Sequence, residues 1–190
     1  MFNFKCTLTA ALCLALSFTA HAGRPCELKP LTVVAVQKGL ALAEQTVQRL
    51  NDTGANVVVL ARAGQNLRQH GLRYSHLGLA YRDGGTWRVV HKLNQCGTDR
   101  SALYRQGIGD FFMDAPFEYE AGAVVLSPQV QDRLWPMLKG GQGLRTLHTR
   151  AYSMVAYPWA QQYQQSNQWA IETLALAMEP QAARRDQAQA

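Results

Sequence analysis

Past residue 22 this chain has no apolar run that approaches membrane-spanning length, which takes about 20 residues, and only two of its four cysteines remain. It has no internal repeat and no long linker. It also has no basic stripe with aromatics between the charges; Arg184-Arg185 is the one adjacent basic pair. These absences exclude a polytopic membrane protein, a solenoid, a disulfide-dense miniature domain and a nucleic-acid-binding surface.

The first residues are of a different kind. Met1–Lys5 ends in a positive charge, Cys6–Ala20 is almost wholly apolar or small, and Ala20-His21-Ala22 offers small residues around a cleavage point. That is the three-part pattern of a secretory signal peptide. Gly23 follows the cut, where a lipoprotein would carry cysteine. The expectation is residues 1–22 as signal and residues 23–190 as a single exported domain, periplasmic or secreted, with no stable membrane span after cleavage. Removing 22 of 190 residues leaves 168, enough for one real core. It also leaves 18 basic against 13 acidic residues, a net charge of +5, which suits an anionic envelope surface.

Cys26 and Cys96 are the cysteines left after cleavage. An even count in an oxidising compartment predicts a bridge. Closing a loop of about 70 residues would stabilise the chain by roughly 4 kcal/mol in the chain-entropy model. Two buried thiols are the alternative.

Pro30–Asp52 places Val36, Leu40, Ala43, Val47 and Leu50 at helical spacing. Asn56–Gly64 is a short apolar run, a buried strand. Tyr74–Tyr81 and Thr86–Leu93 make a hairpin around Asp83-Gly84. Ser101–Phe112 predicts a short helix broken by glycines, with Asp99 and Ser101 as capping residues. A strand ends near Ser127, and Pro128 opens a helix. Ser166–Pro180 predicts a helix whose inner face is Ala170, Leu174, Ala177 and Met178. The class is α+β, a small antiparallel sheet packed with helices.

The hairpin carries one histidine on each strand. If Asp83-Gly84 is a two-residue turn, His76 faces His91 directly. If the loop is the four residues Asp83 to Thr86, His91 faces Gly78. Both counts put the two histidines on one face of the sheet. Three readings stay open: a hydrogen-bonded polar pair, a zinc-type metal site, and a general base, His76, oriented by His91. The residues imply no cofactor.

The segments "VVVLARAG" and "LRYSHLGLAYRDGGTWRVVHKLN" resemble the core of NlpC-type papain-like hydrolases. The resemblance implies a permuted papain-like architecture, with His76 in the place of the base and His91 in that of its orienting residue. In the permuted branch the nucleophilic cysteine begins a downstream helix. "SNQWA" matches that position, and Ser166 stands where the cysteine would. "RPCELKPL", "GLRYSHLGLAYRD", "VVHKLNQCGTDRSALYRQGIGDFF" and "QQSNQWAIETLALAM" together are similar to the bacterial exported family catalogued as domain of unknown function 2145. That resemblance implies further chain past the last helix, so residues 23–190 would be a domain shortened at its C-terminus.

A serine opening a helix is first an N-cap. The helix dipole that activates a thiol does far less for an alcohol. Three function classes follow. The first expectation is a cell-envelope binding protein or pseudo-hydrolase, its partner an unidentified envelope ligand or protein. The second is an active amide or ester hydrolase using Ser166, His76 and His91. The third is a metal-binding protein using His76 and His91.

Overall fold

The computed structural model describes residues 30–190. The expected signal segment and Cys26 lie outside the described residues, and with Cys26 the expected bridge. Cys96 sits exposed in the turn after the second hairpin strand.

Helix α1 (Val33–Asp52) starts at Thr32, whose hydroxyl accepts from the Ala35 amide at 3.1 Å. Its buried stripe is Gly39, Ala43, Thr46 and Leu50. The stripe is rotated from the expected one, and Leu40 is half exposed. The reason is Gly39: a Cβ there would stand 3.3 Å from the Phe112 carbonyl oxygen, so the bare backbone sets the contact face.

Strands β1 (Val57–Arg62), β2 (His76–Asp83), β3 (Thr86–Asn94), β4 (Ser101–Gly107) and β5 (Ala121–Val125) form one antiparallel sheet in the order β4-β3-β2-β1-β5. The α+β expectation holds. The segment Ser101–Phe112 is corrected: only Ile108–Phe112, helix α2, is helical, and Ser101–Gly107 pairs with β3 as an edge strand. Ser101 caps no helix; its hydroxyl donates to the Arg150 carbonyl at 3.1 Å. Helix α3 (Pro128–Gly140) begins with the expected proline and ends at Gly141, whose φ of 73° closes the last turn. Helix α4 (Ser166–Met178) and a short α5 (Arg185–Ala188) complete the chain.

The sheet separates two apolar layers. On one face Val58, Leu60, Ala80, Trp87 and Val89 pack against α1 and α2, including Phe111 and Phe112. On the other, Val57, Leu79, Tyr81 and Val90 pack against α3 and α4, including Leu134, Leu138 and Trp169. Successive strand residues point to opposite faces, so β2 and β3 serve both layers. Within α4 the burial is wider than one stripe. Ser166, Gln168, Trp169, Ala170, Glu172, Thr173 and Ala177 are buried while Met178, expected inside, is exposed. Pairing of Asp83 with Thr86 closes the hairpin around Gly84-Gly85. Gly84 has φ 62°, the left-handed value a tight turn needs at its first central residue. The expected Asp83-Gly84 turn is thereby corrected to Gly84-Gly85, and the register is the one the four-residue count gave, with His91 toward Gly78.

Candidate functional site

That register decides how the histidines meet. Counting on from Leu79 opposite Val90 places Gly78 beside His91, and His76 lies diagonally across. A Cβ on Gly78 would stand 3.4 Å from the His91 Cβ and 2.4 Å from Val89 Cγ1. The glycine leaves the space through which the two imidazoles approach. His76 Nε2 and His91 Nδ1 are 2.8 Å apart. The phenyl ring of Phe111 covers the pair, with centroids 5.8 Å from His76 and 5.3 Å from His91.

The proton positions follow from the partners. His91 is 1% exposed. Burial pushes its pKa down to about 4, a shift opposed by its hydrogen bond to Gln106, furthered by the Arg62 charge and opposed again by Asp114. It is therefore neutral at neutral pH. Its Nε2 lies 2.6 Å from the Gln106 carboxamide oxygen, an acceptor, so Nε2 carries the proton. Nδ1 then holds a lone pair and accepts from His76 Nε2. A neutral His76 with its proton on Nε2 has its own lone pair on Nδ1. Gln106, His91 and His76 thus form a relay that fixes one tautomer of His76.

Arg62 borders the relay. It ends β1 in register with His76 and is buried. Its guanidinium lies over the Phe111 ring at 4.9 Å, donates to the Phe111 carbonyl, and pairs with Asp114 at 2.6 Å. A fixed cation on this face disfavours an imidazolium beside it.

Ser166 is the first residue of α4, and it is buried. The cap is Gln165, whose side chain accepts from the Asn167 amide while Gln168 accepts from the Gln165 amide. The expected capping role of Ser166 is thereby corrected. Among the described residues its hydroxyl makes no hydrogen bond. Asn167 supplies the link to the histidine strand: its Oδ1 accepts from the Leu77 amide at 2.9 Å and its Nδ2 donates to the Ser75 carbonyl at 3.1 Å. These bonds grip β2 on both sides of His76. The body of α4 packs on the sheet face of Leu79 and Val90, whereas the histidines point to the face of Phe111. The first turn of α4 reaches the histidine end of β2 through Asn167.

The family model described as "Uncharacterized protein conserved in bacteria (DUF2145)" matches residues 49–190. The chain belongs to this family. No curated protein and no solved structure matches it. In this DUF2145 chain the matched stretch contains the whole sheet and every residue of the relay.

Sequence reasoning found His76 and His91 and missed Gln106, Arg62, Phe111 and Asn167. Gln106 was hidden because its strand read as a helix. Arg62 had a signal, a charged residue ending an otherwise apolar run. Among the described residues no group of three or more His, Cys, Asp or Glu is placed to hold a metal ion.

Proposed function

We propose that this DUF2145 protein is an exported cell-envelope binding protein, a papain-like pseudo-hydrolase in which a tautomer-fixed histidine recognises a ligand. The observation that carries the reading is the Gln106–His91–His76 relay beside the gripped first turn of α4. The relay holds His76 in one orientation, as recognition and base catalysis both require. Two features favour binding over hydrolysis. A serine occupies the position of the cysteine in the resemblance, and an alcohol needs a directly placed base. The helix bearing Ser166 also packs on the sheet face opposite the histidines. Zinc binding is disfavoured because the two imidazole nitrogens are bonded to each other. Export, and the bridge Cys26–Cys96 that oxidising conditions would form, belong to the same proposal.

A fluorophosphonate probe tests the catalytic alternative. The native protein should show no labelling that Ser166→Ala removes, while binding to purified peptidoglycan sacculi should weaken in His76→Ala. Labelling of the native protein that both Ser166→Ala and His76→Ala abolish would establish the hydrolase instead. A zinc titration showing tight binding lost in His76→Ala would establish the metal reading. Intact mass of periplasmic protein should give a chain starting at Gly23, and thiol labelling should find Cys26 and Cys96 only after reduction.

A further inference from the structure

The segment from Ala151 to Ile171 contains no charged residue. Within it, Met154 is 50% exposed, Val155 88%, Tyr157 64% and Trp159 63%. Four large apolar side chains in six residues, all facing water, have no role in the folded core. The loop that carries them is nonetheless built. Its ends are clipped together where the Gln164 amide donates to the Ala151 carbonyl at 3.0 Å. Inside it, Ala156 donates to the Ser153 carbonyl and Ala160 to the Tyr157 carbonyl. Gln168 of α4 donates to the carbonyls of Pro158 and Ala160 at 2.7 and 3.2 Å. These bonds fix the loop's shape at Ser153, Tyr157, Pro158 and Ala160, and Pro158 restricts its backbone further.

We infer that this loop, Ser153–Ala160, docks on an anionic phospholipid surface, placing Val155, Tyr157 and Trp159 at the boundary between headgroups and acyl chains. Two observations support that occupant. Tyrosine and tryptophan have an apolar body and a polar tip suited to this boundary, and an aliphatic valine at the tip suits hydrocarbon. A glycan site needs hydrogen-bonding side chains among its aromatics, and between Met154 and Ala160 only the phenol and the indole N–H can supply any. The second is charge. Arg100 and Arg150 stand exposed at the root of the loop, joined through the bridge of Arg100 to Ala151. Neither is in an ion pair among the described residues. With Asp99 beside them the root carries two positive charges and one negative, on a chain of net charge +6. No helix among the described residues is long and apolar enough to cross a membrane, so the contact is interfacial. The inference rests on the loop and is independent of the histidine relay.

The test uses the full-length chain with vesicles of phosphatidylethanolamine and phosphatidylglycerol bearing brominated acyl chains, which quench tryptophan at short range. Trp87 and Trp169 are buried and Trp135 half-buried, so the quenched emission should come from Trp159. Quenching should vanish in Trp159→Phe. Val155→Asp, and separately the pair Arg100→Glu with Arg150→Glu, should weaken it by about tenfold. The native chain should also be quenched less when phosphatidylcholine replaces phosphatidylglycerol. Because the readout is local to the loop, partitioning of the apolar residues 6–20 cannot imitate it. Quenching that is absent, or that persists in Trp159→Phe, would overturn the inference. So would binding to peptidoglycan sacculi that Val155→Asp and Trp159→Phe abolish while vesicle quenching is absent.

Discussion

His91 is a histidine whose surroundings keep it uncharged. Its pKa falls from 6.5 to about 4 on folding, so between those values the unfolded chain binds a proton the native chain does not. Stability is then fully present above about pH 6.5 and is lost as pH falls toward 4. At 1.36 kcal/mol per pKa unit the loss is about 3 kcal/mol. His148, also held down to about 4, chiefly by burial and then by the charges of Lys92, Arg150 and Arg145, adds a slope of the same sign. Urea unfolding of the native protein at pH 7 and pH 4.5 should show the fall, and His91→Gln should remove part of it while leaving the share of His148. An unchanged slope in His91→Gln would show that His91 titrates normally. Gly78 is the second residue on which the pair depends. Its alanine variant would drive a Cβ into Val89 and against Phe111, and thermal unfolding should report a cost of about 1–3 kcal/mol, as overpacking does.

At the scale of elements, the first turn of α4 separates two tasks that sequence patterns assign to one serine. Gln165 caps, and Ser166 does not. Gln165→Ala should cost about 1 kcal/mol, whereas Ser166→Ala should leave the melting temperature nearly unchanged. The reverse order would restore the cap to Ser166. Asn167 performs the other task, standing in for a strand partner where β2 lacks one. Asn167→Ala leaves the Leu77 amide and the Ser75 carbonyl unpaired, at a cost of about 1–3 kcal/mol. Nitrogen chemical shifts of the His76 ring should move in that variant if the grip on β2 also holds the relay.

For the molecule as a whole, the C-terminal segment closes a buried polar chain that begins in the sheet. Lys92, fully buried on β3, donates from Nζ to the Thr149 carbonyl and to Gln164 Oε1, both at 2.7 Å. Gln164 donates to Glu172, and Arg185 of α5 pairs with Glu172 at 2.9 Å. Burial, then the Arg185 charge, pushes the Lys92 pKa down to about 7, against the opposing pull of Glu172. A neutral amine has the two N–H groups its two acceptors need. Arg185→Ala strands the Glu172 carboxylate, and denaturant unfolding should show a loss of about 3–5 kcal/mol. A loss near zero would mean that water reaches Glu172 in its place.

The sequence determined what depends on spacing alone: seven of the elements by type, the shared face of His76 and His91, and the opening of α3 at Pro128. A period-2 pattern fixes a face, because shifting the hairpin by two residues keeps every side chain on its side. For the same reason it could not choose between His91 facing His76 and His91 facing Gly78; the pairing of Asp83 with Thr86 around Gly84-Gly85 made that choice. Ser101–Gly107 shows no clear alternation of burial, so only hydrogen bonding to β3 makes it a strand. That pairing is also what delivers Gln106 to His91. Arg62 and Phe111 meet the histidines, and Asn167 the residues flanking His76, across separations of 14 residues or more in the chain. Contacts of that range leave no local pattern, and they exist only once burial has brought the sheet and its two layers together.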